Sequence, residues 1–343
     1  AVLNSGSSVI EIYSSGSGFA ALKADRTVVS WGSGGNSIIP SNVVVDNVAT
    51  IYSNMNGFVA LKNNGTVVGW GSSASPPAGL DNVKIIFNTN NAFAALKNDE
   101  TVVTWGDQNE GGANPGNLTN VKMIYSNPTA FVALKNNNSV VAWGNTDNGG
   151  SIPSGLDVSN VIAVYSSELA FVALKHNKTI VAWGAQTAGG VIPENLDVTN
   201  IARVYSTQNA FAALKYDKSV IAWGYPDRGA TLPANFVQND TVAIYSTGFS
   251  LAALKNINAP TPTLPNAGVT GICSCGEGIP IDPNAGGGSD PNGGGPSDPN
   301  GGGGGGIPGG GMGMGGGGGS TDHFFINDPF TISQTASIFS QSL

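Results

Sequence analysis

Short apolar runs separated by polar or glycine breaks fill the first 255 residues. One unit, from Asn160 to Gly184, reads NVIAVYSSELAFVALKHNKTIVAWG. It divides into three runs, Val161 to Tyr165, Phe171 to Leu174 and Thr179 to Trp183. Each run is short and rich in Val, Ile, Phe, Tyr or Trp, which is the strand signal rather than the helix signal. The break His176-Asn177-Lys178 suits a tight hairpin turn. The segment Gly189 to Pro193 reads as a short outer strand, because proline is tolerated at a strand end or sheet edge.

The unit recurs. Trp-Gly pairs fall at Trp31, Trp70, Trp105, Trp143, Trp183 and Trp223, between 35 and 40 residues apart. Ala-Leu-Lys triplets end at Lys23, Lys62, Lys97, Lys135, Lys175, Lys215 and Lys255. Three or four short strands in about 40 residues is the period of a β-propeller blade. A small sheet of that size cannot bury both faces alone, and stacking against its neighbours buries them. The expected class is therefore an all-β repeat propeller. The Phe-x-Ala-Leu run is expected on the crowded inner strand, and the tryptophans between blades.

The phrase Asn137-Asn138-Ser139-Val140-Val141-Ala142-Trp143-Gly144 resembles the second half of the regulator of chromosome condensation repeat. The resemblance covers about residues 8–255. It is nearest in pattern to the short-looped bacterial form that includes propeller-type β-lactamase inhibitor proteins. There, too, repeats end in Ala-Leu-Lys and begin with Val-Val-Ala-Trp-Gly. The Gly-Gln-Leu-Gly loop of the nuclear members is absent here, so the resemblance does not imply nuclear exchange-factor activity.

Seven copies of the first half-repeat face only six of the Trp-Gly half. Seven blades with an incomplete last one is the favoured reading. A six-bladed ring with a spare half-blade is the other, and a strand from elsewhere in the chain is a third way to complete the count. The end of the chain offers such a strand. Residues 258–319 are rich in Pro and Gly, with Asp-Pro-Asn repeating every eight residues at Asp282, Asp290 and Asp298, and read as a linker. Residues 320–343 change character again. They carry Phe324, Phe325, Ile326, Phe330, Ile332, Ile338 and Phe339, with partial alternation, and no cation. This reads as an adhesive strand on a tether, suited to pairing with the open edge of a neighbouring copy. Three regions follow: a propeller over 1–257, a linker over 258–319 and an assembly segment over 320–343.

Charge sharpens this division. Only 10% of residues are charged, and the formal net charge is −8. All 14 Lys and Arg lie in residues 1–255, while six of the 22 acids and half of the 50 glycines lie beyond them. An acidic chain without a basic surface is a poor nucleic-acid partner. No apolar run reaches the roughly 18 residues of a membrane-spanning helix. The chain begins at Ala1 without methionine, which reads as a removed signal peptide or a mature terminus and favours an extracellular or cell-surface setting.

Catalytic chemistry finds no foothold in the sequence. The two histidines, His176 and His323, are far apart, and no nucleophile elbow, zinc-protease motif or phosphate loop is present. No enzyme activity, cofactor or metal is expected. Cys273-Ser274-Cys275 would form a strained disulfide and has too few neighbours for zinc, leaving a crosslink between copies or two inert thiols. Asn64, Asn117, Asn137, Asn177 and Asn239 open Asn-x-Ser/Thr sequons, which are glycan acceptors in a secreted eukaryotic protein and plain turn residues otherwise. The expected function is a non-enzymatic subunit of an extracellular filament or assembly, with other copies of itself as partners. A secreted binding module with a carbohydrate or protein ligand is the alternative.

Overall fold

A computed structural model gives the architecture of residues 7–116, 118–236 and 238–255. The linker, Cys273, Cys275, Asn117 and the terminal segment lie outside these described residues.

The described residues form seven antiparallel sheets in chain order. The first holds β1 (Val9–Ser14), β2 (Gly18–Lys23) and β3 (Val28–Gly32), and the second β4 (Val48–Asn54), β5 (Gly57–Lys62) and β6 (Val67–Gly71). The third holds β7 (Val83–Asn88), β8 (Ala92–Lys97) and β9 (Val102–Gly106). The fourth holds β10 (Val121–Ser126), β11 (Ala130–Lys135) and β12 (Val140–Gly144). The fifth holds β13 (Val161–Ser166), β14 (Ala170–Lys175) and β15 (Ile180–Gly184), and the sixth β16 (Ile201–Ser206), β17 (Ala210–Lys215) and β18 (Val220–Gly224). The seventh has two strands, β19 (Thr241–Ser246) and β20 (Leu251–Lys255). The all-β repeat architecture and the three runs of each unit are as the pattern predicts.

Two expectations are corrected. Residues 189–193 form no outer strand. A 3-10 turn at Gln186–Ala188 ends on Gly189 in the left-handed region, and the chain continues through Pro193 without pairing. Each complete blade therefore has three strands. The Phe-x-Ala-Leu strand is also the middle strand of its sheet, not the inner one. The first strands of successive sheets are the ones that run alongside each other, from β1 and β4 through to β16 and β19. The middle strand is rich in alanine because neighbouring sheets cover both of its faces. In β14, all six residues from Ala170 to Lys175 are buried.

The core is a series of equivalent layers between consecutive sheets. One face of the fourth sheet, with Tyr125, Val132 and Leu134, packs on Val164, Phe171 and Trp183 of the fifth. The same positions recur at the other layers, such as Tyr13, Ala20 and Leu22 against Ile51, Phe58 and Trp70. Within each of the first six sheets, the middle-strand Phe stacks on the Trp opposite it, as Phe171 does on Trp183 at 5.7 Å between ring centres. Three indoles also tie one sheet to the next. The Nε1–H groups of Trp143, Trp183 and Trp223 donate to the carbonyls of Gly111, Gly149 and Gly189 in the loop of the preceding sheet, each at 3.0 Å. The tryptophans are thus layer-packing residues, as expected.

Candidate interaction surface

The outer edge of a blade needs protection, because unpaired strand N–H and C=O groups recruit other strands. In complete blades a loop provides it. Val102 donates its N–H to the Leu118 carbonyl at 3.0 Å, Ile180 to Val198 at 3.3 Å and Val220 to the side-chain oxygen of Gln238 at 2.8 Å. Ile152, Leu156 and Val158 fold in against the layer beneath.

The seventh sheet has no such cover among the described residues. On one side β20 pairs with β19, from Ser246 opposite Leu251 to Thr241 opposite Lys255. Its other side is the one that β17 uses for β18, pairing Phe211 with Trp223 and Leu214 with Val220. Leu251 stands where the other sheets have phenylalanine, in keeping with the missing tryptophan partner. The segment Leu251–Lys255 carries no proline and one charge, paired to Asp240 at 2.6 Å, so nothing in its composition blunts the edge.

The sequons that lie in hairpins have a local role. Asn64, Asn137 and Asn177 each accept hydrogen bonds from the backbone N–H and the hydroxyl of the residue two places on, Thr66, Ser139 and Thr179. Asp25, Asp99 and Asp217 make the same pair of bonds at the same repeat position. The fold therefore needs the side-chain oxygen that Asn and Asp share, which closes an Asx turn. Asn239 lies just before β19 in the left-handed region, with φ of 70°.

In several repeats the lysine that ends the middle strand reaches an aspartate in the loop leading into its own sheet. Lys62 pairs with Asp46 at 2.7 Å, and Lys175 and Lys215 pair with Asp157 and Asp197. The Lys175 ammonium, aided by the hydroxyl and backbone N–H of Ser159, holds the Asp157 carboxyl well below the usual carboxylate range. Lys215 and Thr199 do the same for Asp197. Burial against the fifth sheet pushes the Tyr125 phenol up to about 12. These are structural shifts. His176 sits in its hairpin turn, beside Asp157 and Lys175 in an open polar depression. A second depression is lined by Ser72, Ser73, Ser75, Gly106 and Asp107. Among the described residues no group of three His, Cys, Asp or Glu is placed to hold a metal ion, and no helix is long and apolar enough to cross a membrane.

Neither a protein-family model nor a curated protein sequence matches the chain. Solved structures do. The ectodomain of the Physcomitrella patens receptor kinase CR4 is 17% identical, with 67% of this chain and 65% of that chain covered and a TM-score of 0.41. The chain thus spans just under two thirds of that ectodomain. The CRINKLY WD40 ectodomain of the Arabidopsis thaliana receptor kinase ACR4 is 14% identical, with 64% and 80% covered and a TM-score of 0.40. Yeast RCC1 (Prp20), solved bound to Kap60, is 16% identical, with 73% and 81% covered and a TM-score of 0.41. At such identities the likeness is one of fold, and none of their roles passes to this chain.

Proposed function

We propose that the protein is a non-enzymatic structural subunit, secreted or at the cell surface, that joins copies of itself through its C-terminal segment. The observation that carries this reading is the edge of β20, which no described strand or loop covers. Among the described residues six sheets have a third strand and the seventh has none, while the sequence of residues 320–343 holds an alternating apolar stretch around Phe330 and Ile332 with no other assigned use. Strand addition would extend the seventh sheet along Leu251 to Leu254, with side-chain pockets setting the register. A stretch of about 60 residues would span about 40 Å if it behaved as a coil, enough to reach a neighbour. A head-to-tail link that does not close extends into a filament.

The test is deletion of residues 320–343, followed by light scattering and electron microscopy. Assemblies fewer and shorter than those of the full-length protein are the expected result. Assemblies of unchanged length in the deleted protein would rule the tail out as the link. A full-length protein that is monomeric at all concentrations would overturn the reading.

A further inference from the structure

The two ends of the sheet array carry complementary halves of the layer that repeats six times inside it. The first five interior layers join a face bearing an aromatic, an alanine or valine and a leucine to a face bearing Ile or Val, Phe and Trp, and the sixth joins the same first face to Ile244 and Leu251. The seventh sheet presents the first kind of face, through Tyr245, Ala252 and Leu254, and no described sheet covers it. Tyr245 is 63% exposed and Leu254 48%, whereas their counterparts in the fourth sheet, Tyr125 and Leu134, are 7% and 1% exposed. The first sheet presents the second kind of face. Ile12 is 53% exposed and Phe19 46%, whereas the counterparts Ile51 and Phe58 are buried.

A backbone ladder stops at the same two places. The turn after the first strand of one sheet donates an N–H to the equivalent turn of the next sheet. Gly16 donates to the Met55 carbonyl at 3.2 Å, Met55 to Asn90 at 3.0 Å and Asn90 to Pro128 at 2.7 Å. Proline interrupts the series, which resumes from Glu168 to Gln208 at 2.8 Å and from Gln208 to Gly248 at 2.9 Å. Among the described residues the Gly248 N–H has no acceptor and the Gly16 carbonyl no donor. The next step of the ladder would join these two groups.

We infer that the seventh sheet of one copy stacks on the first sheet of a second copy, re-creating across the chains the layer found between sheets within one. The occupant is a second copy because only this chain's own first sheet is known to match the seventh face position for position, and in one and the same chain both faces stand uncovered. A chain sealed on itself would bury Phe19 and Tyr245 as deeply as Phe131 and Tyr125. The contact is heterologous, so it repeats from copy to copy, as a ring where the rotation closes and as a filament where it does not. It shares with the proposed function the premise that copies associate, but it uses sheet faces and needs no residue beyond 255.

Full-length chains in a Cys273→Ser, Cys275→Ser background test this. One carries Phe19→Cys and the other Leu254→Cys, both exposed positions, and circular dichroism matching the parent confirms the fold. A short bis-maleimide linker is added to the mixture and the products are resolved on a denaturing gel. The expected product is the mixed crosslinked dimer, at least tenfold above the self-crosslinked dimer of either chain alone. Tyr245→Asp in the Leu254→Cys chain should cut the yield at least tenfold. Equal yields of mixed and self-crosslinked dimer, or a yield unaffected by Tyr245→Asp, overturn the inference. So does a chain carrying both cysteines that crosslinks only within itself, which is ring closure. Deleting residues 320–343 separates the two readings: the tail link fails there alone, and the face crosslink persists.

Discussion

Replacing the same repeat residue at two sites measures how much of each sheet's stability comes from its neighbour. Phe171 is fully buried, stacked on Trp183 and covered by Tyr125, Val132 and Leu134 of the preceding sheet. Phe19 keeps its stack on Trp31 at 5.6 Å, but no preceding sheet covers it. A phenylalanine buries about 150–200 Å² of apolar surface, worth about 4–5 kcal/mol at about 25 cal/mol per Å². Phe171→Ala should therefore cost about 4 kcal/mol, within the roughly 3–5 kcal/mol of buried Phe-to-Ala changes. Phe19→Ala should cost about half that in the monomer, roughly 2 kcal/mol, because about half of the ring is already in water. Stability in a stacked array is a sum of sheet and layer contributions, so a global midpoint blurs the comparison. Hydrogen exchange of β13–β15 against β1–β3, at concentrations where the protein is monomeric, reads each sheet directly. Equal losses at the two sites would refute the reasoning, since they would mean that the first sheet's face is covered in the monomer. As concentration rises and copies stack, the Phe19→Ala loss should climb towards the Phe171→Ala value.

Further outcomes follow from the layer and turn chemistry. Gly149 has φ of 96°, and a Cβ there would lie 2.6 Å from Cδ2 of Phe171, so Gly149→Ala should cost about 2–4 kcal/mol and shift Trp emission in urea titrations. Asn177→Asp should leave stability at neutral pH nearly unchanged, while Asn177→Ala should lose about 0.5–1 kcal/mol by thermal melting, because only the side-chain oxygen closes the turn. Asp157 and Asp197 have native pKa values depressed below the unfolded value of about 3.9. Their pairs therefore contribute fully above that value, and the contribution is lost as pH falls below about 4 towards the native pKa. Lys175→Met should flatten the acid branch of the urea midpoint between about pH 4 and pH 2, and parallel acid branches in parent and variant would contradict the pairing.

The blades were legible because their strands are marked twice. Apolar runs give the strands, and Ala-Leu-Lys and Trp-Gly set the phase, so the three runs between Val161 and Trp183 match β13, β14 and β15 to within a residue or two at each end. Residues 189–193 resemble an outer strand because Val191 and Ile192 look like strand residues in a local window. What decides their state is Gly189, held in the left-handed region so that its carbonyl meets the Trp223 indole from the next sheet. That bond lies between repeats, where no local pattern registers it. The middle strand was misplaced for a related reason: alanine reports crowding, and crowding arises equally at an axis or between two covering sheets. The sequence also shows the missing Trp-Gly half of the seventh repeat, and hence the edge of β20. The open end faces were not legible, because Tyr245, Leu254, Ile12 and Phe19 are the same residue types as their buried counterparts, and only the absence of a neighbouring sheet distinguishes them.

That sameness bears on what the ends are for. A repeat array that stops in solution needs end repeats with a polar outer face, because an apolar one stays exposed and drives association. Such end repeats differ from interior ones at the outward positions. Here they do not: the first sheet keeps Ile12, Phe19 and Trp31, and the seventh keeps Tyr245 and Leu254. The β20 edge likewise lacks the proline or added charge that protects an open strand. Among the described residues the seventh repeat has no third strand, and it carries Leu251 in place of the phenylalanine, at a position that packs on Ala212 and Leu214 of the sixth sheet. It has kept the positions facing outward. A terminal sheet that keeps Tyr245, Ala252 and Leu254, where an interior sheet meets its successor, has the face that the proposed stacking of copies requires.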